Sequence, residues 1–249
     1  MTSRLTFAPK QPGISYFRTG LAWTVGLIGT AFFALSSLVS FLLTRSERLV
    51  QWHGKLWGRF LLRVMGVRVE LVGLDNLPRD HHAILISNHQ SWCDIFAYSG
   101  FLPIPFKWIA KRELFRIPLV GPAMKAAGYI PIDRDNRERA FETIEGTSSE
   151  LKNESIIIFP EGTRTRTGKL GRFKHGVVYL ALQSRAPFVP MTIFNSYDRI
   201  PPGSMGVSPG TIRIEISPEV STLDLDKNAL IRLVDSIRSD MLARLGELP

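Results

Sequence analysis

The fold is decided by the stretch AILISNHQSWCD at residues 83–94, where an apolar run passes directly into a polar heptad. The run at 83–87 is uncharged and rich in Ile and Leu, and it has the length of a buried strand. The heptad at 88–94 ends on an aspartate five positions after a histidine, and an apolar run from Ile95 then predicts a helix. A histidine just past a strand, with a carboxylate nearby, resembles a general base and the group that orients it.

Two interpretations of this heptad are open on its sequence alone. Imidazole titrates near neutrality, and a carboxylate on its far nitrogen would fix its tautomer, so His89 and Asp94 can form a base and its partner. The pattern Ser91-x-x-Asp94 before an apolar run is also that of a helix capping box, and His89 would then be a loop histidine bonded to backbone. In the catalytic interpretation the substrate brings its own hydroxyl, so no Ser or Cys nucleophile is needed.

Length and charge set the outer limits of the prediction. The 249 residues suffice for one sizeable α/β domain with an appendage. The net charge of +9 is unevenly placed, because residues 1–70 hold nine Lys and Arg residues against two Asp and Glu residues. A basic end on a nearly neutral body indicates an anionic partner for that end. Cys93 is the only cysteine, which excludes an intrachain disulfide and predicts a reducing compartment.

An uncharged apolar segment occupies residues 20–43. As a helix it would be about 36 Å long, enough to cross a bilayer core of about 30 Å. A buried helix of a soluble fold is the alternative. A cleaved signal peptide is disfavoured, because the apolar run is too long and Leu-Thr-Arg follows where small residues would be needed.

The segment at 48–64 predicts a second helix, with basic residues on one side. Steps of 100° per residue place its cations on one face and an apolar set on the other, namely Arg48, Lys55, Arg59 and Arg63 against Val50, Trp57, Leu61 and Val64. Such a helix suits an anionic membrane surface, although a helix that covers a domain with a solvated basic face has the same pattern. Beside the apolar segment, it predicts that residues 1–66 bind a membrane.

Residues 67–249 alternate between strand and helix patterns. Strands are predicted at 67–72, 83–87, 129–132, 155–160, 188–195 and 211–217, and helices at 123–127, 136–150, 176–184 and 227–245. Strands that alternate with helices indicate an α/β domain, and we predict a mixed β-sheet flanked by helices. The two N-terminal helices form a membrane-associated segment in front of it.

A second polar loop follows the most apolar of these strands. It supplies Glu161, Arg164 and Arg166 among Thr and Gly residues, and Arg134 ends another predicted strand. Each arginine alone is typical of a solvated surface. Three arginines at strand ends favour a phosphate pocket, since guanidinium grips phosphate bidentately and glycine lets backbone N–H groups approach an anion. The loop lacks the Gly-Lys-Ser/Thr of a nucleotide P-loop, so an NTPase is excluded.

Four ordered blocks of residues resemble the bacterial 1-acylglycerol-3-phosphate acyltransferases of the glycerolipid acyltransferase superfamily. The blocks are NHQSWCD at 88–94, KREL at 111–114 with Ile117-Pro118, Gly121 and IPIDR at 130–134, FPEGTR at 159–164 with Phe173-Lys174 and Gly176, and Val189-Pro190-Met191. The similarity covers about residues 67–220. A histidine and aspartate at this spacing would alone be a weak signal, whereas four blocks in order are specific.

The resemblance implies roles for individual residues. It implies that His89 is the general base and Asp94 its partner, and that either Lys107 or Lys111 steadies the developing oxyanion. It also implies a glycerol phosphate site formed by Glu161, Gly162, Thr163, Arg164 and Arg134. In this family a pair of N-terminal helices docks on or dips into the membrane, which fits residues 1–66.

The resemblance also implies a reaction and its partners. The expected reaction moves a fatty acyl group from acyl-CoA or acyl carrier protein to the sn-2 hydroxyl of lysophosphatidate, on the cytoplasmic face of the inner membrane. No metal, further cofactor or nucleic acid is expected. Two alternatives stay open: an acyltransferase for another lysolipid such as lyso-ornithine lipid, and a non-catalytic protein that binds phospholipid at the membrane.

Overall fold

Two helices open the computed structural model, which describes residues 16–133, 143, 146 and 154–246. Helix α1 spans Tyr16–Thr44 and α2 spans Glu47–Met65. The Ser46 side chain accepts a hydrogen bond from the Leu49 backbone N–H at 3.3 Å and thereby caps α2. Gly66 ends the helix with a φ of 71°, a left-handed conformation that glycine adopts without strain. Both helices predicted near the N-terminus are therefore present.

Helices α1 and α2 form an antiparallel hairpin. A Cβ on Gly29 would overlap the ring of Phe60, so glycine permits the close approach of the two helices. The Trp57 indole N–H donates to the Thr30 hydroxyl at 3.0 Å. Small and hydroxyl-bearing residues thus hold α1 against α2. The apolar residues on the opposite side of α1 are exposed.

Both ends of α1 contact the α/β domain. Near its start, the Trp23 indole N–H donates to the Met205 carbonyl at 2.8 Å, and the Thr19 hydroxyl accepts from the Val207 N–H at 3.3 Å. Near its end, Leu38 and Phe41 pack on a small apolar cluster formed by Val50, Ala126 and Ala127. Helix α1 therefore lies lengthwise along the domain instead of projecting away from it.

The described residues contain a seven-stranded sheet in the order β1-β7-β6-β2-β5-β3-β4. Its strands are β1 Val67–Val72, β2 Ile84–Ser87, β3 Phe106–Lys111, β4 Ile130–Ile132, β5 Ser155–Ile158, β6 Phe188–Phe194 and β7 Gly210–Ile216. Strands β6, β2, β5, β3 and β4 are parallel, whereas β7 is antiparallel to β6 and parallel to β1. The predicted mixed sheet is confirmed.

Helices cover both faces of this sheet. They are α3 Trp92–Phe101 and α4 Val120–Ala126, followed after β5 by α5 Gly176–Ser184 and α6 Lys227–Leu245. Leu85 belongs to the core under α2 and α3, while Ile84 and Ile86 belong to the core under α5 and α6. All three are fully buried, so β2 is apolar on both faces, as a central parallel strand must be.

The position of the site follows from the pairing of β2 with β5. These strands are parallel neighbours, with Ile86 opposite Ile158. The loops that follow them therefore leave the same edge of the sheet side by side. Two sequence predictions lie outside the described residues. They are Arg134 as a phosphate ligand and the helix at 136–150, of which only positions 143 and 146 are described.

Candidate active site

The heptad after β2 forms a buried histidine–aspartate pair. His89 Nδ1 lies 2.7 Å from Asp94 Oδ2, and that oxygen also accepts the backbone N–H groups of Gln90 at 2.6 Å and Ser91 at 2.9 Å. The Ser91 side chain in turn accepts from the Cys93 N–H at 3.3 Å, which completes a capping box. The geometry that each interpretation of the heptad requires is present, because the carboxylate that caps α3 also holds the imidazole.

An aromatic stack supports the ring of His89. Phe159, the residue that follows β5, lies parallel to the imidazole, with ring centroids 4.0 Å apart and 7° between the planes. Trp108 stacks behind Phe159 at 5.5 Å. The histidine side chain is 11% exposed, and in the described part of the chain no hydrogen bond occupies Nε2. The ring therefore offers one free nitrogen to a substrate.

The heptad is also fixed to the opposite neighbour of β2. The Asn88 side chain continues the sheet pairing, since its Oδ1 accepts from the Ile193 N–H at 2.8 Å and its Nδ2 donates to the Ile193 carbonyl at 3.0 Å. The Ser91 hydroxyl donates to the Ile200 carbonyl at 2.8 Å. The backbone of β6 and of the segment that follows it therefore restrains the loop that carries His89.

An open pocket of about 420 Å³ adjoins this loop. Three arginines, two threonines, a glutamate and a glycine line it. They are Glu161, Thr163, Arg164, Thr165, Arg166, Gly171 and Arg172. The Thr165 N–H donates to the His89 carbonyl at 3.0 Å, so the pocket wall and the histidine loop are in direct contact. The sequence had not singled out Arg172, although its spacing from the arginines before it was a usable signal.

Arg164 is held at the mouth of the pocket by an aromatic ring. Its guanidinium carbon lies 4.4 Å from the centre of the Trp92 ring, a cation–π geometry. Partial burial lowers the pKa of Arg164 from its ordinary value, and the nearby Asp94 carboxylate opposes that shift. Gly162 precedes it with a φ of 76°, and this left-handed residue turns the loop back over the Lys174 side chain.

Glu161 directs its carboxylate at backbone. Oε1 accepts the His89 N–H at 2.7 Å, and Oε2 accepts the Gly171 N–H at 2.7 Å. The residue is 8% exposed. The contact with glycerol phosphate that the resemblance implied stays a prediction, and these bonds join the two loops of the site. Spacing along the chain gave no sign of this, because Gly171 belongs to no motif named in the sequence.

The two candidate lysines of β3 lie at different levels. Lys107 is 6% exposed in its side chain, forms an ion pair with Glu47 at 3.2 Å, and is two residues nearer the amino end of the sheet than Ile158 by register. Two residues correspond to about 7 Å along the strand, and a role of Lys107 at the oxyanion stays a prediction. Lys111 ends β3 at the same edge as the heptad, about two strand spacings (roughly 10 Å) away, and pairs with Glu113 at 3.6 Å.

Cys93 is fully buried beside the pair. Burial and, to a smaller extent, the Asp94 carboxylate raise the pKa of its thiol to about 12. A thiol held in its neutral form is a poor nucleophile, so the site has no use for Cys93 as an acyl carrier. Within the described ranges, no three His, Cys, Asp or Glu side chains are grouped as a metal site would require.

The fold and the site define an acyltransferase. The sequence model of the acyltransferase family matches residues 68–194, which is half of the chain and contains the heptad, β5 and the loop after it. The chain belongs to this family.

The names of individual relatives are more specific than the name of the family. The chain is 34% identical to the 1-acyl-sn-glycerol-3-phosphate acyltransferase of Cocos nucifera, over 78% of this chain and 63% of that protein. It is 29% identical to the enzyme of the same name from Saccharomyces cerevisiae, over 94% of this chain and 78% of that protein. It is 35% identical to the one from Pseudomonas aeruginosa, over 65% of this chain and 64% of that protein. The chain thus spans less than two thirds of the length of two of these relatives.

A solved structure has the same fold. The crystal structure of the 1-acyl-sn-glycerophosphate acyltransferase from Thermotoga maritima superimposes with a TM-score of 0.78. The match covers 92% of this chain and 96% of that one, at 24% sequence identity. The two-helix hairpin and the mixed sheet therefore recur together in a second protein.

Proposed function

We propose that this acyltransferase moves a fatty acyl group from an acyl thioester to the sn-2 hydroxyl of 1-acylglycerol-3-phosphate and so makes phosphatidate. One observation carries the proposal: a buried His89–Asp94 pair and a pocket of three arginines share one edge of the sheet and touch through the bond from Thr165 to His89. A base beside an anion pocket suits an acceptor that bears both a hydroxyl and a phosphate. The names of the relatives support the same acceptor.

The proposed reaction is a direct transfer. Nε2 of His89 takes the proton of the sn-2 hydroxyl as its oxygen attacks the thioester carbonyl carbon, and Asp94 stabilises the imidazolium that forms. The resulting tetrahedral oxyanion collapses, the carbon–sulfur bond breaks, and the proton passes to the leaving thiolate. Lys111, at the correct edge of the sheet, remains our candidate for stabilising the oxyanion. The thioester is acyl-CoA or acylated acyl carrier protein, and no other cofactor is required.

The phosphate of the acceptor would lie in the arginine pocket. Arg164, Arg166 and Arg172 supply positive charge, while Gly162 and Thr163 shape the loop that presents it. Charge-assisted bonds from guanidinium to phosphate are about twice as strong as neutral hydrogen bonds. Arg134, which lies outside the described residues, stays a predicted fourth cation.

Product analysis tests the proposal. Purified protein should be offered an equimolar mixture of lysophosphatidate, lyso-ornithine lipid and monoacylglycerol with acyl-CoA or acyl carrier protein, and the products identified by mass spectrometry. Phosphatidate with stoichiometric free thiol is the expected result. Preferred acylation of lyso-ornithine lipid would refute the assigned acceptor. Lipid binding without any release of thiol would identify a non-catalytic protein.

Replacing Arg164 with alanine should raise KM for lysophosphatidate. We expect an increase of about 10-fold or more, because a charge-assisted bond to phosphate contributes roughly 1.5–3 kcal/mol. Monoacylglycerol, a poorer acceptor without phosphate, should be affected much less. Arg232→Ala, at an exposed position of α6 that does not line the pocket, is the matched control and should leave both KM values unchanged. Equal losses on both acceptors would mean that Arg164 only supports the fold.

Membrane association is supported by the outer side of α1. The segment Thr19–Thr44 is the one helix of the described residues that is long and apolar enough to cross a membrane. Large apolar side chains on its outer side are 48–83% exposed, namely Phe17, Leu21, Leu27, Ile28, Phe32, Leu35, Val39, Leu42 and Leu43. Because its inner side is packed on α2 and the domain, we propose that α1 lies along the bilayer with this outer side inserted. We further propose that the catalytic domain faces the cytoplasm, as the family resemblance implies.

Two kinds of change should separate apolar insertion from charge attraction. The double change Ile28→Glu and Phe32→Glu should release the protein from neutral vesicles at all salt concentrations and from anionic vesicles at high salt, since both residues are more than 60% exposed and lie outside the packed side of α1. The double change Arg48→Gln and Arg63→Gln on exposed positions of α2 should weaken binding to anionic vesicles only at low salt, by about 1 kcal/mol per residue.

Vesicle co-sedimentation between low and high salt measures both effects. The unchanged chain should stay bound throughout, because apolar burial is not weakened by salt. Full release of the unchanged chain by salt alone would show that α1 is not inserted.

A further inference from the structure

The carboxylate of Glu161 joins the catalytic loop to the anion pocket. Its Oε1 accepts the backbone N–H of His89 at 2.7 Å, and its Oε2 accepts the backbone N–H of Gly171 at 2.7 Å. His89 carries the candidate base, and Gly171 immediately precedes the pocket residue Arg172. One buried side chain therefore spans the two parts of the site, with one oxygen assigned to each.

The loop at Gly171 is built for this contact. A Cβ at that position would lie 2.7 Å from Glu161 Oε2, so only glycine lets the backbone come this close. The Gly171 carbonyl accepts from Arg238 Nε at 2.7 Å, which fixes the same peptide to α6. With the bond from the Thr165 N–H to the His89 carbonyl, the spacing between the imidazole and the arginines is held at several points.

Electrostatics argues against Glu161 as a ligand of the phosphate. A carboxylate repels a phosphate dianion, and the two are neighbours in a pocket only when other groups take up the negative charge of the carboxylate. Hydrogen bonds from two backbone N–H groups, one to each carboxylate oxygen, contribute to this. The side chain therefore fits a role in spacing the two loops better than a role in contacting the anion.

We propose that Glu161 is a positioning residue that sets the distance from the phosphate pocket to His89 and thereby selects the sn-2 hydroxyl of the acceptor. The inference rests on the proposed function. In a glycerol 3-phosphate, the sn-2 hydroxyl is one carbon nearer the phosphate than the sn-1 hydroxyl, a difference of about 1.5 Å along the chain. A fixed spacing between an anion pocket and a base can discriminate between the two, since a displacement of about 1 Å costs as much as 100-fold in rate.

Three changes alter this spacing in different ways. Glu161→Gln leaves one oxygen for two N–H donors and turns an NH₂ group toward the other. Glu161→Asp shortens the connection by one carbon. Gly171→Ala keeps the glutamate but pushes the second loop away from it. Glu70→Gln, an exposed glutamate on the edge strand β1, is the matched control.

Selectivity is measured with two acceptors that cannot isomerise: 1-O-alkylglycerol 3-phosphate, with a free sn-2 hydroxyl, and its 2-O-alkyl isomer, with a free sn-1 hydroxyl. We expect Glu161→Gln to lower kcat on the first by about 100-fold, with KM changed far less. Glu161→Asp and Gly171→Ala should reduce the ratio of kcat/KM values for the two acceptors by roughly 10- to 100-fold. Glu70→Gln should match the unchanged protein in both respects.

Amide hydrogen exchange reports the positioning contact directly. The amides of His89 and Gly171 should exchange faster in Glu161→Gln, while the amides of β6 keep their protection. If Glu161→Gln does not fold, Glu161→Asp and Gly171→Ala decide the matter, because two unrelated changes must then relax the same selectivity. A raised KM for phosphate-bearing acceptors with kcat and selectivity intact would overturn the inference and make Glu161 a ligand. If the unchanged protein acylates neither acceptor, the proposed function itself fails, which is a different result.

Discussion

Replacing His89 with alanine is expected to lower kcat by 10²–10⁴-fold, the usual contribution of a positioned base. The imidazole has one nitrogen bound to Asp94 and the other open, and no second base within the heptad could substitute for it. Lysophosphatidate should still bind, because the cations of the pocket do not depend on the imidazole ring.

Steady-state kinetics with a thiol-detecting assay measures the loss, and equilibrium binding of lysophosphatidate shows whether affinity is kept. His81→Ala is the control, since His81 is an exposed histidine that pairs with Glu219 at the far end of β2. A His89→Ala protein that retains more than about a tenth of the original kcat would refute the proposed mechanism.

Changing Asp94 to asparagine should cost nearly as much, about 10³–10⁴-fold in kcat. The amide oxygen can replace Oδ2 and keep the bonds from His89, Gln90 and Ser91, so the loop geometry can survive. What is lost is the negative charge that stabilises the imidazolium. The loss should therefore appear in kcat with little change in KM.

Ser91→Ala separates catalysis from helix capping. It removes the side-chain bonds to the Cys93 N–H and to the Ile200 carbonyl and should cost about 1–2 kcal/mol of stability, visible as a lower unfolding temperature. It leaves the Ser91 backbone N–H on the Asp94 carboxylate, so kcat should stay near its original value. If Ser91→Ala and Asp94→Asn lose kcat equally, Asp94 acts only as a cap.

The sequence was informative where local pattern and burial agree. Strands β2 and β5 are apolar on both faces because they are central, and their Ile-rich runs predicted them directly. The heptad could be recognised because its bonded residues lie within five positions of each other. For the same reason the capping box and the histidine–aspartate pair could both be predicted. The sequence did not show that a single oxygen, Asp94 Oδ2, would take part in both.

Contacts between distant parts of the chain could not be foreseen. Strand β3 contains Lys107, a residue atypical of a buried strand, and it is accommodated by Glu47 from α2, sixty positions earlier. Phe159 was visible as the end of an apolar run, but its stacking on His89 depends on β2 and β5 being neighbours. The contact of Glu161 with Gly171 depends on how a loop without regular structure returns to the sheet edge.

The attachment of α1 to the segment after β6 has a mechanical consequence. In that short segment, the Ile200 carbonyl accepts a hydrogen bond from the Ser91 hydroxyl. A few residues further on, Met205 and Val207 are hydrogen-bonded to the α1 side chains of Trp23 and Thr19, respectively. Only a few peptide units therefore separate the part of the protein that would rest in lipid from the heptad with the base. On the proposed function, a change in the tension, thickness or fluidity of the host leaflet would reach the reaction centre through this segment, and the bilayer would border the active site as well as supply its acceptor.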